Sequence, residues 1–289
     1  TLRSADLVIR EAAWTGADFA LDVVTGDSSR VRASGMLAGP AARHRATFAA
    51  DLAPGERFVR IFTGDAVAYK AFSARGAYDG RTVTADVRAR GLEAYGFRLD
   101  SAHTSHAYTP PRQGGGGEYV LRQSRLHAGS DIWMLSARVR TPAREGLGAA
   151  VTASLASPRH GRLDYALEAD GSMEARAEEF AATALPYAPL DSLPLRGGVL
   201  HGRFAWDPER KRGEADLAAR ATFHYNGNGS GGVYRNGGNG ANGRGEPVAA
   251  RIDAEWDARH LDVRAASLRY RGSELSVTAH ARLQGRQFY

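Results

Sequence analysis

Alternation of apolar and polar residues, broken three times by an aromatic–Asp turn, limits what this chain can fold into more than any other feature. The turns are Tyr78-Asp79-Gly80-Arg81, Trp206-Asp207-Pro208-Glu209 and Trp256-Asp257-Ala258-Arg259. An alternating run enters each turn and a second one leaves it. After Tyr78 the outgoing run carries Val83, Ala85, Val87 and Ala89 on one parity; after Trp256 it carries Leu261, Val263 and Ala265. Period-two patterning puts residues of one parity on one face of a strand. A repeated hairpin unit of this kind points to stacked β structure rather than a compact catalytic core.

The same alternation recurs along most of the chain. Phe19, Leu21 and Val23 share a parity, as do Phe48, Ala50 and Leu52, then Trp133, Leu135, Ala137 and Val139, and Leu163, Tyr165 and Leu167. It is sharpest near the end. Ala215, Leu217, Ala219, Ala221 and Phe223 alternate with Glu214, Asp216, Arg220 and Thr222. Val248, Ala250, Ile252, Ala254 and Trp256 alternate with Arg251, Asp253 and Glu255, and Leu275, Val277, Ala279, Ala281 and Leu283 with Ser276, Thr278, His280 and Arg282. The expected fold is therefore all-β, an elongated and curled antiparallel sheet of many short strands, each with one apolar and one polar face. One or two short helices are expected, with Glu56–Thr63 and Met173–Thr183 as the candidates, the second because of its good helix formers and the stop at Leu185-Pro186.

The 289 residues read as a single elongated repeat segment, with sub-segments 1–109, 118–180 and 181–289. Two low-complexity stretches interrupt it. They are Pro110–Gly117 and the Asn/Gly tract 226–247, where little order is expected because glycine loses most entropy on ordering. With 43% hydrophobic and 24% charged residues the chain is not globally disordered. It begins at Thr1 without a charged-then-apolar leader, as a fragment or a mature segment would, and has no apolar run long enough to cross a bilayer as a helix. It has no cysteine, which removes thiolate chemistry and disulfides. The net charge is +6, and Lys70 and Lys211 are the only lysines; the arginines are interleaved with apolar residues, as on a solvated strand face, and nucleic acid is not expected as a partner.

The motifs that suggest chemistry lack the context it needs. Gly227–Gly232 and Gly238–Gly243 match G-x-G-x-x-G, but neither leads from a strand into a helix N-terminus, which supplies the phosphate site. His103 and His106 have a metal-site spacing, yet positions i and i+3 of a strand point to opposite faces. The remaining histidines are scattered and read as surface residues. The turn aspartates read as turn formers that bond nearby backbone amides. Arg210-Lys211-Arg212, the one compact basic run, falls on a hairpin tip, and the sequon at Asn228 lies inside the low-complexity tract. No catalytic, metal or cofactor residues are expected.

The run from Ala181 to Trp206, with its Leu-Pro stretch before Leu195-Arg-Gly-Gly-Val-Leu-His-Gly, resembles a recurrent segment of the AsmA-like and translocation-and-assembly-module (TamB-like) proteins. The closing stretch Leu261–Gly285 is similar to their strand–Gly-Ser–strand repeats. The resemblance implies an internal segment of a taco-shaped β-groove, anchored through the full-length chain in the inner membrane of a Gram-negative bacterium. Such a groove crosses the periplasm, conducts phospholipid toward the outer membrane and works with an outer-membrane assembly partner. It brings no catalytic residues and no cofactor. The residues expected to line the groove and meet acyl chains are Leu217, Phe223, Val248, Ile252, Trp256, Leu261, Val263, Leu275, Val277 and Leu283. A β-helix or β-sandwich that binds polysaccharide, and a segment of an outer-membrane barrel, satisfy the same alternation in other ways.

Overall fold

The computed structural model describes residues 2–3, 7–15, 17–25, 28–37, 39–40, 43–54, 67–111, 115–142, 148–187, 189–190, 195–223 and 245–282. Among these the fold is all-β, with only short 3-10 turns such as Ala182–Ala184 besides strands. Close backbone contacts divide the chain into two units, Thr1–Ser157 and Pro158–Tyr289.

The first unit contains β1 (Leu2–Arg3), β2 (Leu7–Thr15), β3 (Asp18–Thr25), β4 (Arg30–Met36), β5 (Arg45–Leu52), β6 (Val67–Ala68), β7 (Ala71–Tyr78), β8 (Val83–Ala94), β9 (Phe97–Thr109), β10 (Glu118–Ala128), β11 (Asp131–Arg140) and β12 (Ala150–Ser157). The pairing is antiparallel and follows chain order, except that β5 pairs with β7 and the short β6 with the far end of β8. Cross-strand register places whole rows of side chains on one face. One row runs Phe19, Gly35, Ala46, Tyr78, Val83, Tyr108, Tyr119, Val139, Val151. Another runs Leu52, Phe72, Ala89, Ala102, Leu126, Trp133.

The second unit is a meander of β13 (Gly161–Leu167), β14 (Met173–Phe180), β15 (Leu195–Asp207), β16 (Arg212–Phe223), β17 (Glu246–Trp256), β18 (His260–Tyr270) and β19 (Ser273–Arg282). Each strand pairs antiparallel with the next. At about 4.8 Å per strand the ladder of this unit spans roughly 29 Å. Bulges interrupt β10, β15 and β18, and each bends its strand and increases the local twist. Parallel coiling, and with it the β-helix, is excluded for these strands by their antiparallel registers.

The segment expected as a helix over Met173–Thr183 is instead β14 up to Phe180. Met173, Ala175 and Ala177 face one way, and Glu174, Arg176 and Glu178 the other, so the segment also has a strand's period. A helix of that length is marginal alone, whereas β13 and β15 offer hydrogen-bonded ladders on both sides. The other expected helix, Glu56–Thr63, lies outside the described residues, as does most of the Asn/Gly tract.

The aromatic–Asp turns work as hairpin closures. Asp257 Oδ1 accepts from the backbone N–H of Arg259 at 2.7 Å and of His260 at 2.8 Å. Asp79 Oδ1 does the same for Arg81 and Thr82, and Asp207 Oδ1 accepts from Arg210 N–H at 3.0 Å. These amide bonds hold the Asp79 and Asp257 carboxyls below their ordinary value of 3.8. A lowered folded pKa means that the unfolded chain binds the proton more readily. The turn contribution is therefore present above the ordinary carboxylate pKa and lost as pH falls through the lowered folded one. Protection of the Arg259 and His260 amides, taken against the intrinsic exchange rate at each pH, is expected to fall at acid pH in the wild-type protein; Asp257→Asn, whose amide oxygen still accepts, should lose that acid step. An unchanged step in the variant would mean that Asp257 does not hold the turn.

Candidate functional site

The second unit carries four unbroken apolar rows on one face. The central row is Leu163, Ala177, Gly202, Leu217, Ile252, Ala266, Val277. On one side of it runs Tyr165, Ala175, Phe204, Ala215, Ala254, Val263, Ala279, and next to the hairpin tips runs Leu167, Met173, Trp206, Gly213, Trp256, Leu261, Ala281. On the other side lie Phe180, Leu200, Ala219, Ala250, Leu268 and Leu275, with Val248 and Phe223 beyond. Nine of the ten residues singled out from the sequence (Leu217, Phe223, Val248, Ile252, Trp256, Leu261, Val263, Leu275 and Val277) thus occupy one face; Leu283 lies outside the described residues. Ala265 does not join them. Bulges at Asp253/Ala254 and Val263/Ala266 place it opposite Asp253 on the polar face and bring Ala266 into the apolar row.

The two ends of this face differ in cover. Ala177, Phe180, Ala215 and Ala254 are buried, whereas Ile252, Leu268, Val277 and Leu275 stand exposed, Leu275 at 64%. Large apolar side chains left together in water mark an interaction surface.

The opposite face is laced with ion pairs. Arg203 bridges Glu174 at 2.9 Å and Glu214 at 3.0 Å, Arg269 meets Glu274 at 2.7 Å, and Arg264 pairs with Glu255. Exposed pairs add little stability each. Their effect is on register: a one-residue slip of β16 or β18 would turn these charges onto the apolar face.

An aromatic cluster closes the tip side. The Trp206 and Trp256 rings stack at 6.4 Å and 17°, Phe204 lies 5.9 Å from Trp256, and Gly213 sits between the two tryptophans in register. A Cβ at Gly213 would fall within the Trp256 ring. Gly213→Ala is therefore expected to displace Trp256 and to destabilise the unit by about 1–3 kcal/mol, the usual cost of overpacking. Loss of the tryptophan-pair exciton signal in circular dichroism checks it; an unchanged signal would show that the rings do not stack over the glycine.

In the first unit one apolar row has a polar interruption. It runs Leu21, Ala33, Phe48, Gly76, Ala85, His106, Leu121, Ala137, Ala153. His106 Nε2 lies 2.7 Å from Thr104 Oγ1 and its Nδ1 2.6 Å from Tyr119 Oη, and both partners share its face. Burial pushes the His106 pKa below the ordinary 6.5 and that of Tyr119 above 10.0. His103 is on the other face, opposite Arg88, so the two histidines do not converge on a metal. From the sequence His106 was weighed only as a metal partner of His103. Parity within β9 gave no signal, because Phe97, Leu99 and Ala107 lie on the other one; the apolar surroundings of His106 come from its register with Ala85 and Leu121.

Comparison with known protein families, with characterised proteins and with solved structures finds no match. The chain's own geometry therefore carries the functional argument. Among the described residues no group of three or more metal-ligating side chains converges, and no helix is long and apolar enough to cross a membrane. Arg210-Lys211-Arg212 falls at the β15–β16 hairpin tip, as expected.

Proposed function

We propose that the continuous apolar face binds and conducts lipid acyl chains, as one segment of a periplasmic groove that carries phospholipid between the inner and outer membranes. The carrying observation is the run of apolar rows across β13–β19, exposed at β17–β19 and backed by a charged face. Acyl chains gain about 0.8 kcal/mol per methylene removed from water. A face of repeated Ala, Val and Leu rows offers that gain nearly uniformly, which favours sliding over trapping. The role needs no catalytic group and no cofactor. The resemblance to AsmA-like and TamB-like segments adds the membrane anchor and the outer-membrane assembly partner, both expected of the full-length chain.

A polysaccharide binder would present polar or aromatic ladders to water, whereas the exposed large side chains of this face at β17–β19 are the aliphatic Ile252, Leu268, Leu275 and Val277. A lipid-facing barrel would need closure, and among the described residues no register within either unit joins its first strand to its last. The test is mass spectrometry of lipid carried through a detergent-free purification from a phospholipid-rich host. Co-purified phospholipid is the expected result; protein free of lipid, or carrying bound glycan, would overturn the proposal.

A further inference from the structure

His106 occupies a row whose other members are Leu, Ala, Phe and Gly, and its hydrogen bonds leave a donor over. Neutral imidazole has one N–H and one lone pair. If Nδ1 carries the proton, it donates to Tyr119 Oη, Nε2 accepts from Thr104 Oγ1–H, and the Tyr119 hydroxyl hydrogen is left. If Nε2 carries it, that nitrogen donates to Thr104 Oγ1, Nδ1 accepts from Tyr119 Oη–H, and the Thr104 hydroxyl hydrogen is left. Either tautomer leaves one O–H with no acceptor among the described residues. Desolvation favours the neutral ring, so this count holds near pH 7. These side chains are half-buried, so water meets the spare donor on the uncovered face. An acyl chain laid over it excludes that water and leaves the donor unpaired unless the chain brings an acceptor. The neighbours in register, Ala85, Leu121, Val87 and Val139, have no polar side chain, and Ser124, at the β10 bulge opposite Thr104, turns its hydroxyl to the Arg122 carbonyl at 2.8 Å.

We propose that Thr104, His106 and Tyr119 form a recognition site for an acceptor oxygen at the polar end of an acyl chain lying on the apolar face of the first unit. This rests on the lipid-binding reading above and adds a fixed polar stop to it. A chain lying along the neighbouring rows gains from methylene burial at any position, but only one position brings its oxygen to the spare hydroxyl. The site therefore sets where the polar end rests. Switching tautomer moves the free hydrogen from Tyr119 to Thr104, so one site can follow an oxygen displaced along β9.

The test uses the whole chain, labelled with ¹⁵N at histidine, with His106 assigned through His106→Gln. Three probes with a sixteen-carbon chain are titrated, namely hexadecane, methyl palmitate and palmitate, and binding of each is followed independently by its own ¹³C signal. Methyl palmitate and palmitate should shift the His106 ring nitrogens, and hexadecane should bind without doing so. Comparing the two oxygenated probes separates an ester carbonyl from a free carboxylate as the preferred acceptor. Tyr119→Phe and Thr104→Val together should weaken the preferred oxygenated probe about 2–10-fold, the worth of one hydrogen bond, and leave hexadecane unchanged. If all three bind and none moves His106, or if hexadecane moves it equally, the recognition site is wrong while the apolar groove stands. If no probe binds, the groove reading fails and this site with it.

Discussion

Trp133→Ala is expected to lower the unfolding free energy by about 3–5 kcal/mol, the range for truncating a buried tryptophan. Trp133 is 1% exposed, the largest of the fully buried side chains, in a fold whose other buried apolar residues are mostly alanines. It stands on β11 at the end of the row Leu52, Phe72, Ala89, Ala102, Leu126, on the same face as Leu135 and Val139. Trp133 is enclosed on all sides, so its removal leaves a volume that the packed neighbours fill only in part, and the cavity cost stays high. Urea unfolding checks this, with Trp133→Phe as the smaller step. A loss below about 1 kcal/mol for the alanine variant would mean that the first unit does not depend on this side chain.

Ile252→Arg combined with Val277→Arg is expected to abolish lipid retention and leave the sheet folded. Ile252 and Val277 share the central row, separated by Ala266, so two guanidinium groups would stand across one level of the apolar face. Both positions are more than a third exposed, so the arginine stems can lie along the sheet and their charges reach water. The fold therefore tolerates the pair, while an acyl chain crossing that level would meet charge. Denying it about two methylenes of contact, at about 0.8 kcal/mol each, already weakens binding about tenfold. Retained lipid at wild-type level in a folded double variant would contradict the groove.

What could be read from the sequence follows from where one local rule suffices. Period-two alternation gave the all-β class and the common face of Leu217, Ile252, Trp256, Leu261 and Val277, because parity alone sets the face of a regular strand. It failed at Ala265, because a bulge adds a residue to one strand and nothing in the local pattern marks it. It failed at Met173–Phe180 because helix propensity was weighed above an alternation that was also present, and two neighbouring strands decided the matter. The turn aspartates were legible, since a side chain that bonds amides two and three residues on acts locally. The Thr104–His106–Tyr119 cluster was not, because it joins β9 to β10 across a register that only pairing fixes.

The most direct measurement is photo-crosslinking from single positions along β17 and β19 in phospholipid-producing cells. A photoreactive residue at Ala250, Ile252, Leu275, Val277 or Ala279 should capture phospholipid. One at Ala249, Arg251, Ser276, Thr278 or His280 should not, so the yield should alternate with period two along each strand. Equal capture from both parities, or none from either, would contradict a lipid path on the apolar face.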